Sequence, residues 1–295
     1  MKLNDKTKYV FRALPGILFL LSATAKLVGI DEFELYIFGL GLTGLGTSYV
    51  AARLVIAAEY TLGILLLTNL FPRLAFWGSV AMLGGFSLLL AWLMASGNHD
   101  NCHCFGEWVD FSPGESLLKN AAMLAVLLLG AGIKAFKSRY RYLFLALSVV
   151  VPLAAVLIVS PPDNWRYSSY DRSNPVNETA LQEALANGTL PSSIAEGQKV
   201  VCFYSLRCNY CLMSARKLAQ LRSRGDFSQA PLIVVFGRGK DTDTSAFLSE
   251  SGLVPDEVHF IEPDIFLRIT NGSFPLILTT EDSKVEKAFN YRNLH

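Results

Sequence analysis

The chain has 295 residues, of which 52% are hydrophobic and 17% charged, with a mean hydropathy of +0.35 and a net charge of +1. Soluble domains carry roughly 25% charged residues, so this composition excludes a protein that is water-soluble throughout. A near-zero net charge with no basic cluster also excludes a nucleic-acid-binding surface.

The charge deficit is local. Five apolar segments, 9–30, 46–69, 73–95, 116–133 and 140–160, each approach the length that crosses a bilayer as a helix. The first carries Lys26 inside and lacks a small-x-small cleavage site, so it reads as a retained span rather than a leader. Lys2, Lys6, Lys8 and Arg12 precede or open the first span. Arg73 lies in the second turn, and Lys134, Lys137, Arg139 and Arg141 in the fourth. The alternate loops, 31–45 and 96–115, contain no Lys or Arg. Positive charge stays inside, so the expected topology is multi-pass in a bacterial inner membrane. The N-terminus is then cytoplasmic and everything after residue 160 periplasmic.

Lys26 in the first span and Arg53 and Glu59 in the second are ionisable residues placed inside apolar stretches. Such groups are costly in lipid and face the protein interior. Two roles are open. They carry protons for redox chemistry, or they form a Lys26–Glu59 or Arg53–Glu59 pair that fixes helix packing.

The loop between the third and fourth spans holds Asn101-Cys102-His103-Cys104-Phe105-Gly106. A disulfide across Cys-x-Cys closes a strained ring. Strained disulfides are labile and oxidising, which suits a transfer site. At the bilayer boundary, a membrane quinone is the candidate electron acceptor. The competing reading is a metal-handling site made of His99, Cys102, His103 and Cys104. Those ligands are crowded for one tetrahedral ion.

Past the last span, residues 161–177 read as a Pro/Ser/Asn-rich linker. A helix is expected over 178–186 and a buried strand over 199–205. Arg207-Cys208-Asn209-Tyr210-Cys211 follows, leading into a helix over 212–222. Strands are expected over 231–237, 258–262 and 276–280, with a helix over 243–251. A thiol at a helix N-terminus is stabilised as the thiolate, so Cys208 is the expected nucleophile and Cys211 the resolving thiol. Arg207 adds positive charge beside the first. A zinc half-site is the alternative, but no second Cys/His pair stands near it. Cys202, mid-strand among apolar neighbours, reads as a buried inert thiol.

Strand, Cys-x-x-Cys, helix and a later Phe274-Pro275 before a strand resemble the thioredoxin superfamily over 178–295. That resemblance implies a cis Pro275 lying against the active cysteines and shaping a substrate groove. The Cys-x-Cys-Phe-Gly at 102–106, with Lys26, Arg53 and Glu59, resembles the MauE branch of the DoxX-like membrane proteins over 9–133. It implies a four-helix bundle and an association with maturation of methylamine dehydrogenase, whose substrate subunit is rich in disulfides.

The expected architecture is therefore an all-α membrane bundle over 1–135, a fifth transmembrane helix at 136–160, a linker at 161–177 and a thioredoxin-like α/β domain over 178–295. The expected function is a membrane-bound thiol–disulfide oxidoreductase. It acts on periplasmic client proteins by relay between Cys208/Cys211 and Cys102/Cys104, and on to a quinone. No cysteine lies on the cytoplasmic side, which favours oxidation of clients. The rival is a non-catalytic membrane assembly factor for a client such as a methylamine-dehydrogenase-like enzyme.

Overall fold

The structure, a computed structural model, describes residues 4–96, 112–136, 138–166, 176–240 and 242–294. The chain divides into two compact units, Met1–Pro162 and Asp163–His295.

The first unit is helical: α1 (Asp5–Val28), α2 (Ile30–Gly39), α3 (Leu45–Thr68), α4 (Pro72–Ala95), α5 (Pro113–Leu129) and α6 (Arg141–Val159). Four of the described helices, α1, α3, α4 and α6, are long and apolar enough to cross a membrane. Their outward side chains are apolar, as at Ile17, Leu54, Trp77, Leu88, Val150 and Ile158. That inverts the surface of a soluble bundle and matches a lipid surround. Close packing of α1 on α3 depends on glycine. A Cβ on Gly63 would lie 2.7 Å from Leu20 Cδ2 and 2.9 Å from the Gly16 carbonyl.

Two expectations change here. The span expected over 116–133 is α5, which has 17 residues. It starts earlier, at a capping box in which Ser112 and Glu115 bond each other's backbone N–H. It stops at Gly130, and Gly132 follows with φ +71. At about 25 Å it is shorter than the hydrocarbon layer. The acidic segment expected as a loop at 31–45 instead contains α2. Ile30, Phe33, Leu35 and Phe38 bury one side of that helix.

Contacts at the helix ends fix the course of the chain. Arg12 in α1 donates to the Pro72 carbonyl at the start of α4 (3.0 Å). Asn69, after α3, donates to the Lys134 carbonyl, after α5 (2.9 Å). Phe71 packs on Tyr142 at the start of α6 (5.8 Å). At the other end, Arg53 of α3 donates to the Ser160 carbonyl that follows α6 (2.8 Å). So α1, α4 and α6 run one way and α3 and α5 the other. Lys6, Lys8, Arg12, Arg73, Lys134, Arg139 and Arg141 consequently gather at one end of the bundle.

The second unit is a mixed α/β domain. After α7 (Asp163–Arg166) and α8 (Glu178–Ala186) come β1 (Gln198–Tyr204), α9 (Asn209–Ser223), β2 (Leu232–Gly237), α10 (Ser245–Ser251), β3 (Glu257–Ile261), α11 (Pro263–Ile269), β4 (Leu276–Glu281) and β5 (Lys284–Phe289). The five strands lie in the order β3-β2-β1-β4-β5. β1, β2 and β3 are parallel, with Phe203 opposite Val235 and Val235 opposite His259. β4 runs antiparallel to β1, with Phe203 opposite Leu276.

Alternation along β1 divides the domain's core. Val201 and Phe203 join Ile233, Val235 and Leu278 against Leu181 of α8 and Phe266 of α11. Tyr204 points the other way, onto Phe247 of α10 (5.8 Å). The β4–β5 turn has Asp282 and Ser283 both at positive φ (46° and 65°), the backbone that a tight hairpin of matching twist requires.

Candidate functional site

β1 ends at Tyr204, and three residues later Cys208 is the N-cap of α9. The first N–H groups of a helix have no partner within it. The Cys208 Sγ takes one of them, accepting from the Cys211 N–H at 3.1 Å. Cys211 lies inside α9's first turn, fully buried, with its Sγ 3.5 Å from the Ser205 N–H. Cys208 is half-buried, and both thiols are free in this structure.

The two thiols differ in acidity. A hydrogen bond from the Cys211 thiol, with backbone N–H groups of Cys211 and Tyr210, brings Cys208 down to about 7. Burial pushes Cys211 up, and its bond to Cys208 pushes it further. The half-buried thiol is thus the more acidic of the two, and the buried one the less acidic. A pair arranged this way can attack a disulfide through the first and release the mixed disulfide through the second. Arg207 is exposed beside Cys208, and the lowering arises from hydrogen bonds. Burial pushes Cys202 up to about 12, so that thiol stays protonated.

The Phe274–Pro275 bond is cis. Pro275 is buried, one step past the Phe203–Leu276 pair, at the end of β1 that leads to Cys208.

The sequence reading missed the C-terminal segment. Tyr291 packs on Tyr210, the residue between the two cysteines, at 5.7 Å. The Arg292 guanidinium lies over both rings, 5.7 Å from Tyr210 and 5.1 Å from Tyr291, and binds Asp163 at 3.1 Å. Lys217 of α9, also buried, donates to the Tyr291 carbonyl (2.9 Å). The only signal was an aromatic and a cation, Tyr291-Arg292, in a short polar tail.

In the bundle, Lys26 is in the last turn of α1 and Glu59 in α3. They meet at 2.7 Å, and Ser22 bridges them, 2.6 Å from Lys26 Nζ and 3.1 Å from Glu59 Oε2. Arg53 does not reach Glu59. It pairs with Glu34 of α2 and donates to the Tyr49, Ser160 and Pro161 carbonyls. Both ion pairs are buried. Cys102, Cys104, His99 and His103 lie outside the described residues.

Residues 4–133 match the family described as methylamine utilisation protein MauE, a stretch that covers α1 to α5. The chain is 25% identical to Protein TlpB of Flavobacterium psychrophilum over 83% of this chain and 80% of that protein. No solved structure matches the chain.

Proposed function

We propose that the chain is a membrane-anchored thiol–disulfide oxidoreductase with a thioredoxin-like α/β domain. One observation carries this reading: Cys208 caps α9 as a half-exposed thiol held near 7, above a buried Cys211. Cys208 forms the mixed disulfide with a client protein, and Cys211 resolves it. The buried Pro275 at the end of β1 supports the thioredoxin-like assignment.

The membrane half supplies the route for electrons. The basic end of the bundle is taken as cytoplasmic. α5, although short, runs antiparallel to α4 and α6, so the chain crosses five times. The α/β domain and the Cys102/Cys104 loop then face the same periplasmic side, where disulfides persist. Electrons pass from client thiols to Cys208/Cys211, then to Cys102/Cys104, then to a membrane quinone. The match to a methylamine utilisation family favours a second reading, in which the protein holds one particular client during assembly without turnover.

Mixed-disulfide trapping tests the proposal. The Cys211→Ala chain, expressed in cells, is expected to accumulate clients bound through Cys208. Clients that still accumulate on a Cys208→Ala, Cys211→Ala chain would point to holding without exchange.

A further inference from the structure

Three segments of the α/β domain meet at the end of the sheet that holds Cys208. Residues 205–211 lead from β1 into α9. Residues 270–275 precede β4, whose Leu276 pairs with Phe203 near the end of β1. The tail at 290–294 reaches this end because Tyr291 packs on Tyr210. None of the three contains an Asp or Glu, and neither does α9. They carry Arg207 and Arg292 instead. Arg292 is matched by the buried Asp163 at 3.1 Å. Arg207 is exposed, with no hydrogen bond or ion pair among the described residues. Its charge does not set the acidity of Cys208 either, which comes from hydrogen bonds in the first turn of α9. The acidic residues at this end, Asp243, Glu262 and Asp264, follow β2 and β3, on the opposite side of β1 from β4. Of these, Glu262 is bound to Arg238 at 2.8 Å.

We propose that Arg207 makes this site selective for client segments with an acidic residue beside the reacting cysteine, a substrate class for the thiol–disulfide reading, on which this inference rests. An exposed cation beside the nucleophile draws anionic segments to it and turns basic ones away. Tyr210, 49% exposed, offers an aromatic surface next to the same thiol.

The exchange step shows where such a carboxylate acts. A client thiolate attacks the Cys208 sulfur of the oxidised pair. The Cys208–Cys211 bond breaks, a Cys208–client disulfide forms, and Cys211 leaves as the thiolate with the electron pair. In the reverse direction the Cys208 thiolate attacks a client disulfide, and the second client sulfur leaves. Both directions pass through the same mixed disulfide, in which Cys208 carries no charge. Arg207 then has no anion beside it in the chain, and a client carboxylate supplies one.

The test uses the full-length chain in lipid nanodiscs, with Cys102→Ala and Cys104→Ala so that reaction is confined to the α/β domain. The reduced protein is mixed with short peptides whose one cysteine is a thiopyridyl disulfide flanked by Glu or by Lys. Release of thiopyridone, followed by absorbance, reports attack by Cys208. Each rate is divided by that of the same peptide with mercaptoethanol, which removes the peptide's own reactivity. The Glu peptide is expected to react about fivefold faster than the Lys peptide at low salt, the scale of an exposed charge contact. The preference is expected to vanish at about 1 M salt. Arg207→Gln is expected to abolish it and Arg207→Glu to invert it. Lys287→Gln, which removes one positive charge from β5, is expected to leave it as it was. Equal normalised rates for the two peptides overturn the selectivity and spare the exchange reading. A preference that persists in Arg207→Gln also overturns it, because the charge that selects then lies elsewhere. Release no faster than in a Cys208→Ala chain with either peptide removes the underlying reading and the selectivity with it.

Discussion

Arg53 and Glu59 both lie on α3, yet Arg53 pairs with Glu34 of α2 while Glu59 pairs with Lys26 of α1. Residues six apart sit about 240° around a helix from each other, so they cannot meet on one face. One side of α3 therefore binds α1, and the other binds α2 and the end of α6. A buried charge stripped of its partner is destabilising by about 3–5 kcal/mol, more than a pair replaced whole. Arg53→Met is expected to lower the thermal stability of the purified protein sharply. The Arg53→Met, Glu34→Leu double variant is expected to recover part of the loss. If the double variant unfolds as early as the sum of the two singles, the pair is not coupled.

The α1–α3 contact gives a second expectation. With backbone at 2.9 Å, a Cβ at Gly63 cannot be accommodated by side-chain motion alone. Gly63→Ala is expected to push α1 from α3 and destabilise the bundle by about 1–3 kcal/mol. Gly84→Ala, where a Cβ meets nothing within 4 Å, is the control and is expected to be neutral. Thermal unfolding of the two variants side by side gives the answer.

How much of this could be read from the sequence varied with the kind of signal. β1, β2 and the helix after Cys208 stood out because apolar β-branched runs abut a Cys-x-x-Cys. The spans stood out by length and charge bias. α2 did not, because Asp31, Glu32 and Glu34 resemble a solvated loop. Glu34 is buried against Arg53, and that depends on helix rotation. β5 was hidden because Lys284, Glu286 and Lys287 make a polar edge strand, and its turn, Asp282-Ser283, lacks the usual glycine. An Arg53–Glu59 pair is ruled out by their positions six residues apart on one helix. Tyr291 and Arg292 could not be assigned to Tyr210 because their contact spans most of the domain's sequence.

That contact gives a third expectation. Tyr291 is buried between Tyr210 and Lys217. Truncating a buried aromatic to alanine destabilises by about 3–5 kcal/mol. Tyr291→Ala is expected to destabilise the α/β domain by that amount and to increase the access of alkylating reagents to Cys208. Denaturant melts and iodoacetamide labelling check the two effects separately. Alkylation as slow as in the wild type would dissociate the tail from the site.

The acidity of Cys208 gives a fourth. Its alkylation rate is expected to rise with pH about a midpoint near 7. In Cys211→Ala, which removes the largest lowering contribution, the midpoint is expected to move up toward the ordinary thiol range. The linked effect on stability has a fixed sign. Cys208 is more acidic folded than unfolded, so its contribution is present above the ordinary thiol range. It is lost as pH falls toward about 7. An equal midpoint in both proteins would remove Cys211 as the cause.

The central claim is that the two cysteine pairs exchange electrons, and the redox state of Cys208/Cys211 in growing cells tests it most directly. Acid quenching followed by maleimide labelling separates reduced from oxidised chains by mass. In the wild type the pair is expected to be mostly oxidised, and in a Cys102→Ala, Cys104→Ala chain it is expected to accumulate reduced. The same oxidised fraction in both would contradict the relay.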